Sequence, residues 1–531
     1  MTKIKKRDKA ETVAEVIERN TGILTEDFLY PKADYYIKNI AEAVQYIRDF
    51  IKNEENPVIT IVGDFDCDGV MATAITEKSL AKYPVSVHTR LPHRFSEGYG
   101  LSVKIIDEID TGLVITVDNG IAAYDAISRA KEKGLAVIVI DHHLPPVDKA
   151  GEMKLPPADI IVDPHIEQES EFSDYCGAAL AYKLACDLCP EDDLSELLVY
   201  ASIATVADIM PLIGDNRNIV KEGLKRINQQ GLSKGFSRLL TKLYLDFHIS
   251  EDDYGFKIAP VVNACGRLYD DGAERILRLL TEDLSTEEIE HLTDFYIETN
   301  NKRKEQVKEG LEHVQGQIGK DKFPIIVYKE GIGEGIIGII AGKICEKYKR
   351  PCIVFTDSSQ NGVLKGSGRS ISGIHLYDAL NRISDLILRF GGHAGAAGLS
   401  IKIDNLEKFS EAFKESIGEI HVDNTVYYDL QLTKSNMASV LEDLKTFAPY
   451  GEGNPRPCIR MKYIVNGAYR EIGDGTHFKI SGKGITVFGF GLAKKYGKLG
   501  YPKSLDCIGY LGEDWYKGES YFKFELTDFR A

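Results

Sequence analysis

Apolar runs alternate with amphipathic stretches along the first 230 residues. VITIV (58–62) is a short β-branched run bounded by Pro57 and Gly63, and this reads as a strand. A helical stretch from Gly69 to Lys82 follows, then PVSVHTRL (84–91), a helix near Val103–Ile109, LVITV (113–117), a helix over Ala122–Lys133 and LAVIVI (135–140). These strands are apolar at nearly every position rather than at every second one. That pattern belongs to strands covered on both faces, as in a parallel sheet with helices above and below it. Two further helices are expected at 178–188 and 194–207.

The second half changes character twice. From Leu284 to Ile318 the chain is charged, periodic and free of proline, which predicts one long helix joining two lobes. A second α/β unit starts at FPIIVYKE (323–330) and runs through RPCIVFTD (350–357) to the glycine-rich GGHAGAAGLSIKI (391–403). From about Val422 the helical period fades into aromatic-rich strands, the pattern of a small barrel. The expected fold class is α/β throughout the first two units. A parallel-sheet domain spans 1–275, a connecting helical linker 276–319, a second α/β domain 320–421 and the barrel 422–531.

Composition narrows the class of protein without choosing a function. The chain is 43% hydrophobic and 27% charged, ordinary for a water-soluble protein. MTKIKKRDKAETVAEV carries no apolar core, so no signal peptide is expected, and the apolar runs are too short to cross a bilayer. Nine scattered cysteines, an odd number, argue against a disulfide framework and for a reducing cytoplasm. The net charge of −16 argues against a non-specific nucleic-acid coat protein. The charge is uneven, however: residues 421–531 hold 15 Lys and Arg against 13 Asp and Glu, leaving 50 against 68 in the rest. A nucleic-acid surface is therefore permitted in the C-terminal fifth.

The chemistry concentrates in VGDFDCDGVMATAI (62–75), where Asp64, Asp66 and Asp68 alternate before Gly69. D-x-D-x-D-G also opens a calcium-binding EF-hand loop, but the bidentate Glu that such a loop needs would fall at Ile75, and a strand precedes it where a helix is required. Two other strands end in residues of the same kind, LVITV in Asp118 and LAVIVI in Asp141, His142 and His143. Asp208, in SIATVADIMPL (202–212), follows an apolar helix. A lone aspartate after a strand more often caps the next helix. Four such groups placed to converge beyond one sheet edge point instead to a metal site, because open parallel sheets bind ligands at the carboxyl ends of their strands. Carboxylates with one or two imidazoles and no thiolate suit Mn²⁺ or Mg²⁺. So many carboxylates call for two ions sharing a bridge, the arrangement that stabilises both the attacking and the leaving oxygen at phosphorus.

GDFDCDG (63–69), VDNG (117–120), DHH (141–143) and VADIMPL (206–212), in this order, resemble the four motifs of the DHH phosphoesterase superfamily. Further segments resemble the RecJ single-strand-specific exonucleases: LPHRFSEGYGLS (91–102), VVNACGRL (261–268), LKGSGRSISGIHLYDAL (364–380), FGGHAGAAGLS (390–400) and APYGEGNPRP (448–457), the last resembling the entry to an OB-fold. The likeness runs from about Gly22 to the C-terminus. Many RecJ proteins carry one more domain after the OB-fold, whereas this sequence ends at Ala531, where the barrel's last strand is expected to finish.

The resemblance implies roles. Asp66 and Asp118 hold one ion with Asp64 beside it, and Asp68, Asp118, His142 and Asp208 hold the other, so Asp118 is the bridge. His143 faces the scissile phosphate, and Asp141 either orients the imidazoles or caps. Arg94, Asn263, Arg267, Ser367, Arg369, Ser370 and His393 are expected at the substrate. Arg94 alone would read as a surface ion pair. Arg267 and Arg369 each directly follow a glycine, which lets backbone and guanidinium approach a phosphate together. GGHAGAAG is no dinucleotide fingerprint, since G-x-G-x-x-G with a later acidic residue cannot be laid on it; it reads as a loop presenting His393, or as a plain tight turn. In the barrel, Phe478, Phe488, Phe490, Trp515, Tyr516 and Phe522 alternate with Lys479, Lys483, Lys494, Lys495 and Lys517. Bases stack on aromatics while lysines track phosphates in such folds, but most of these rings must fill the core.

The implied activity is a metal-dependent exonuclease on single-stranded DNA with 5′ to 3′ polarity, releasing nucleotides in DNA repair or recombination. Its expected partners are single-stranded DNA and a single-strand-binding protein or helicase, with no membrane and a monomeric state. One alternative is a DHH phosphodiesterase of short oligonucleotides, which the barrel argues against. Another is a catalytically inactive scaffold in a replication assembly, which the full set of carboxylates argues against.

Overall fold

In the computed structural model the apolar runs pair into one all-parallel sheet, ordered Ser86–Arg90, Val58–Val62, Leu113–Val117, Ala136–Ile140, Ile160–Val162. The structure describes residues 3–147, 151–166, 170–229, 231–245, 247–319, 323–358, 360–418, 425–482, 484–516 and 519–531. Leu113–Val117 is buried at every position, as its unbroken apolar run requires. Helices Cys67–Leu80 and Ser195–Ala207 are buried on almost every side, which is why their sequences show no polar face. The chain leaves Val58–Val62 for Ser86–Arg90 on one side and returns to Leu113–Val117 on the other, so the strand order reverses between Val58–Val62 and Leu113–Val117. Such a switch point opens a crevice beyond the strand ends.

The long helix is Thr286–Gln315, opened by a capping box in which the Ser285 hydroxyl accepts from Glu288 N and Glu288 reaches back to Ser285. It is less a linker than a shared beam. Ile276, Leu277, Ile289, Leu292 and Tyr296 belong to the core under the parallel sheet, and only from Val307 onward does the helix pack on the second unit. That unit is a five-stranded sheet ordered Arg389–Gly392, Ala396–Lys402, Val363–Arg369, Cys352–Asp357, Ile325–Tyr328, with one parallel and three antiparallel pairs. The expected domain limits near 320 and 421 fall against residues outside the described ones.

The C-terminal unit is a curled seven-stranded sheet running from Leu430–Leu432 to Ala468–Ile472, its two longest strands, Ser504–Tyr516 and Glu519–Arg530, paired antiparallel with a register shift at Ile508/Gly509. Phe478, Val487, Phe524 and Phe529 fill it. The same core takes in Val13, Val16, Ile17 and Phe28 from the start of the chain. Ile4–Lys6 also pairs with Val426–Tyr428, and Arg7 and Arg19 both reach Asp429. Residues 4–29 thus sit with the barrel rather than with the parallel sheet, which a limit of 1–275 did not anticipate. Cys186 and Cys189 form the chain's single C-x-x-C spacing; both are free, and burial raises both thiol pKa values, so neither is an activated thiolate.

Candidate metal centre and strand-binding site

The crevice at the switch point is where the aspartates gather. Asp66 caps helix Cys67–Leu80, its Oδ1 accepting from Asp68 N at 3.0 Å and Gly69 N at 3.1 Å. Asp68 accepts from Gly177 N (2.7 Å) and Ala178 N (2.8 Å), the first amides of helix Gly177–Leu188, where the helix dipole favours a carboxylate. Asp118 directly follows Leu113–Val117 with φ 60°, a strained conformation for a residue other than glycine, and such strain clusters at functional sites. Asn119 holds it there: its Nδ2 donates to Val62 O and Val117 O, and its Oδ1 accepts from Leu101 N.

Three ligand groups result, each with donor atoms within 4.8 Å of one another: Asp64, Asp66 and Asp118; Asp68, His142 and Asp208; and Asp118, His142 and His143. His142 Nε2 lies 3.1 Å from Asp118 Oδ1, 3.6 Å from Asp68 Oδ2 and 3.8 Å from Asp208 Oδ2, and so joins the two carboxylate sets. Burial first, then repulsion from neighbouring carboxylates, pushes Asp64 and Asp118 well above the ordinary range, raises Asp66, and lifts Asp208 to about 8. Burial lowers His142. The buried Asp64 Oδ1 has no hydrogen-bond partner. Repelling carboxylates, an orphaned buried oxygen and a largely neutral imidazole together fit divalent cations of the Mn²⁺ or Mg²⁺ kind.

Asp141 is an orienting group rather than a helix cap. Its Oδ1 accepts from His142 N (2.8 Å) and His143 N (3.2 Å) and bonds His143 Nδ1 (2.8 Å), while Oδ2 accepts from Ile121 N (2.8 Å). Burial alone would lower His143, but the Asp141 hydrogen bond and the surrounding carboxylates raise it to about 9. The other ring nitrogen, Nε2, meets Tyr99 Oη at 3.2 Å, and Tyr99 also donates to Asp118 O at 3.1 Å. Tyr99 is 55% exposed and stands edge-on to Phe65 and His143. It lies within LPHRFSEGYGLS, where a single tyrosine among polar loop residues gives no signal of its own.

Guanidiniums lie close to the carboxylates. Arg94 sits over the Phe65 ring at 4.8 Å; burial lowers its pKa, which Asp64 and Asp66 oppose. Arg267 is brought down to about 10 by burial and then by nearby Arg94, Arg303 and Arg369, against the pull of Asp66. Arg303, from the long helix, was not foreseen: one more cation in a helix full of charges gives no signal. It is half-buried, with Nε and Nη2 on its own Asn300 Oδ1. The loop carrying Arg94 and Tyr99 is pinned by Glu97, whose side chain is 3% exposed and accepts from Arg90, Lys104 and His93 N.

The other expected substrate residues also have partners within the chain. Asn263 gives its Oδ1 to Cys67 N (2.8 Å), so it braces the aspartate loop. NACGR is part of helix Ala259–Leu268, and Gly266 serves packing, since a Cβ there would stand 2.6 Å from Phe65 O. Likewise Gly368 and Arg369 are in strand Val363–Arg369; Arg369 Nη1 donates to Gly368 O (2.8 Å) and lies 3.4 Å from Ser367 Oγ. The Ser370 hydroxyl donates to Ile374 O inside its turn. His393 is exposed at a tight turn, its Nδ1 accepting from Gly395 N.

In the barrel, Phe478 is core, stacked on Tyr496, and Phe522 packs partly buried against the same core. Trp515 stacks on His248 at 4.2 Å. An outward aromatic step remains, Phe488 stacked with the half-exposed Phe490, with Lys479 and Lys523 over the Phe488 ring at 5.1 and 5.6 Å. Lys494 is exposed, and Lys495 is paired with Asp528. Lys483, Lys517 and the Tyr516 side chain lie outside the described residues. Among the described residues no helix is long and apolar enough to cross a membrane.

Comparison with known proteins supplies the context. Family models match the chain in three places: the DHH family N-terminal domain at 58–209, the DHHA1 domain at 322–419 and the RecJ OB domain at 428–528. The single-stranded-DNA-specific exonuclease RecJ of Dickeya dadantii is 33% identical over 461 residues, covering 80% of this chain and 78% of its own. Crystal structures of RecJ from Thermus thermophilus superpose over 98% of this chain. The complex with Mn²⁺ does so at a TM-score of 0.82 and 28% identity, covering 76% of that chain, and the complex with Mg²⁺ at 0.75 and 26%, covering 74%.

Proposed function

The chain belongs to the family of RecJ single-stranded-DNA-specific exonucleases, and on that premise we propose that it removes nucleotides one after another from the 5′ end of single-stranded DNA. One observation carries the reading: three ligand groups linked through Asp118 and His142 lie within electrostatic reach of a cluster of half-buried guanidiniums, Arg94 beside Asp64 and Asp66 and Arg267 beside Asp66. Two divalent ions bound there, Mn²⁺ or Mg²⁺, would supply the Lewis acidity and water activation for an in-line displacement at phosphorus.

The rest is work of the chain. Asp64, Asp66 and Asp118 would hold one ion, and Asp68, Asp118, His142 and Asp208 would hold the other. His143, fixed by Asp141 on one ring nitrogen and Tyr99 on the other, faces the scissile phosphate. Arg94, Arg267, Arg369 and Arg303 gather a terminal phosphate, whose two charges reward converging guanidiniums more than the single charge of an internal diester does. Phe488 and Phe490 hold the strand further along. The two lobes touch beside the cluster, where Arg267 Nη1 donates to Gly335 O at 3.3 Å, which favours a single strand over a duplex in the passage. The same reading puts the protein in DNA repair or recombination as a monomer, fed by a helicase or a single-strand-binding protein. Nine free cysteines support a reducing cytoplasm.

The test uses end-labelled single- and double-stranded DNA and RNA with Mn²⁺ or Mg²⁺. Single-stranded DNA is expected to be degraded first from a 5′ label, and faster when 5′-phosphorylated than when 5′-hydroxylated. Arg369→Ala should shrink that difference. Equal rates on the two strands, or first release from a 3′ label, would overturn the polarity.

A further inference from the structure

Asp208 is more open than the carboxylates it shares His142 with. Its side chain is 33% exposed, against 2% for Asp68 and 4% for Asp118, and it lies just past the end of helix Ser195–Ala207. Its position therefore depends on how the chain turns immediately after it. Ile209 takes φ 59°, a left-handed conformation costly for a β-branched residue, and Met210 N returns to Thr205 O at 3.0 Å. A turn this strained persists only when its surroundings over-determine it.

Those surroundings come from far along the sequence, from the segment leading into the barrel. Leu212 N donates to Glu452 O at 2.7 Å. Gly451 and Gly453 press against the same stretch: a Cβ on Gly451 would stand 2.8 Å from Leu212 Cδ1, and one on Gly453, where φ is +70°, 2.9 Å from Pro211 Cβ. Asn454, fully buried, closes the turn by donating to Phe447 O (3.1 Å) and Pro449 O (2.8 Å). Arg217, 1% exposed, crosses back from the catalytic lobe to Phe447 O and Thr446 O, and Glu251 accepts from Tyr450 N at 3.0 Å.

We infer that the turn at 449–454 is a positioning element of the metal centre, holding Asp208 in place through Pro211 and Leu212, rather than a passive connection to the barrel. The inference rests on the assignment of Asp208 as a ligand. It also has a consequence for removing the barrel: cutting the chain near 422 takes away the support of a ligand along with the strand-binding surface, so hydrolysis of short substrates would fall too.

Mn²⁺ titration of the full-length protein followed by electron paramagnetic resonance tests it, with binding of a long single-stranded oligonucleotide in EDTA as the check on the barrel. Gly453→Ala should weaken one Mn²⁺ site about tenfold, the scale seen when a ligand loses its outer support, and leave oligonucleotide binding unchanged. Asn454→Ala, which opens the turn without a clash, should act in the same direction and serves if Gly453→Ala does not fold. Asp208→Ala separates the two claims. If it leaves both Mn²⁺ sites intact, Asp208 is no ligand. If it removes one site while the folded turn variants bind Mn²⁺ like the parent, Asp208 stands as a ligand and the positioning role of the turn is overturned.

Discussion

At the scale of single residues, the metal centre is a concentration of repulsion that the fold tolerates. Asp64 and Asp118 are raised by burial and by neighbouring carboxylates, and Asp208 to about 8. Carboxyls with folded pKa values above their unfolded ones make the native state bind extra protons, so stability without metal falls as pH rises from about 4 towards 8. In EDTA the melting temperature should therefore drop between pH 5 and pH 8, and Mn²⁺ should restore it. Asp118→Asn should flatten the EDTA profile and abolish hydrolysis; an unchanged slope would remove the repulsion account. Glu97 shows the opposite sign. Burial opposes its charge, but Arg90, the His93 amide and Lys104 hold it down to about 2, so its contribution is present above the unfolded value of 4.5 and lost only as pH falls towards 2. Glu97→Gln should loosen the loop of Arg94 and Tyr99 and raise KM by roughly tenfold, the equivalent of about 1.4 kcal/mol, with Mn²⁺ affinity unmoved.

At the scale of elements, what the sequence revealed follows from which forces are local. The parallel strands were legible because double-sided burial writes itself as unbroken apolar runs, and the aspartates were legible because strand ends converge whatever the loops do. The long helix was legible from its charge period, although its division between two cores was not, since Ile289 and Val307 look alike in sequence. The contacts of Asn263 and Gly266 with Cys67 N and Phe65 O could not be read from the sequence because those partners lie far off in the chain, 196 positions away for Asn263. In the barrel, alternation could not say which rings face outward; pairing does, leaving Phe488 and Phe490 outside and Phe478 within. Phe488→Ala should weaken binding of a long single strand in EDTA by about tenfold, within the range for one lost base stack, and leave dinucleotide hydrolysis at the parental rate. Equal losses on both substrates would place the ring in the fold rather than at the strand.

At the scale of the whole molecule, the chain closes on itself. Arg19 and Arg7 meet Asp429 across 410 and 422 positions, and Val16, Ile17 and Phe28 complete a core built otherwise from the last hundred residues. Deleting residues 3–29 should therefore cripple long-strand binding and lower the melting temperature of the barrel while Mn²⁺ still binds, a pattern calorimetry and the EDTA binding assay would separate. There is also a consequence in time. A ribosome adding roughly 5–20 residues each second exposes the apolar faces of Val13–Thr21 and Thr25–Leu29 tens of seconds before strand Glu519–Arg530 exists to cover them. These early-made helices are among the last to be buried, and in the interval they need shelter from other nascent chains.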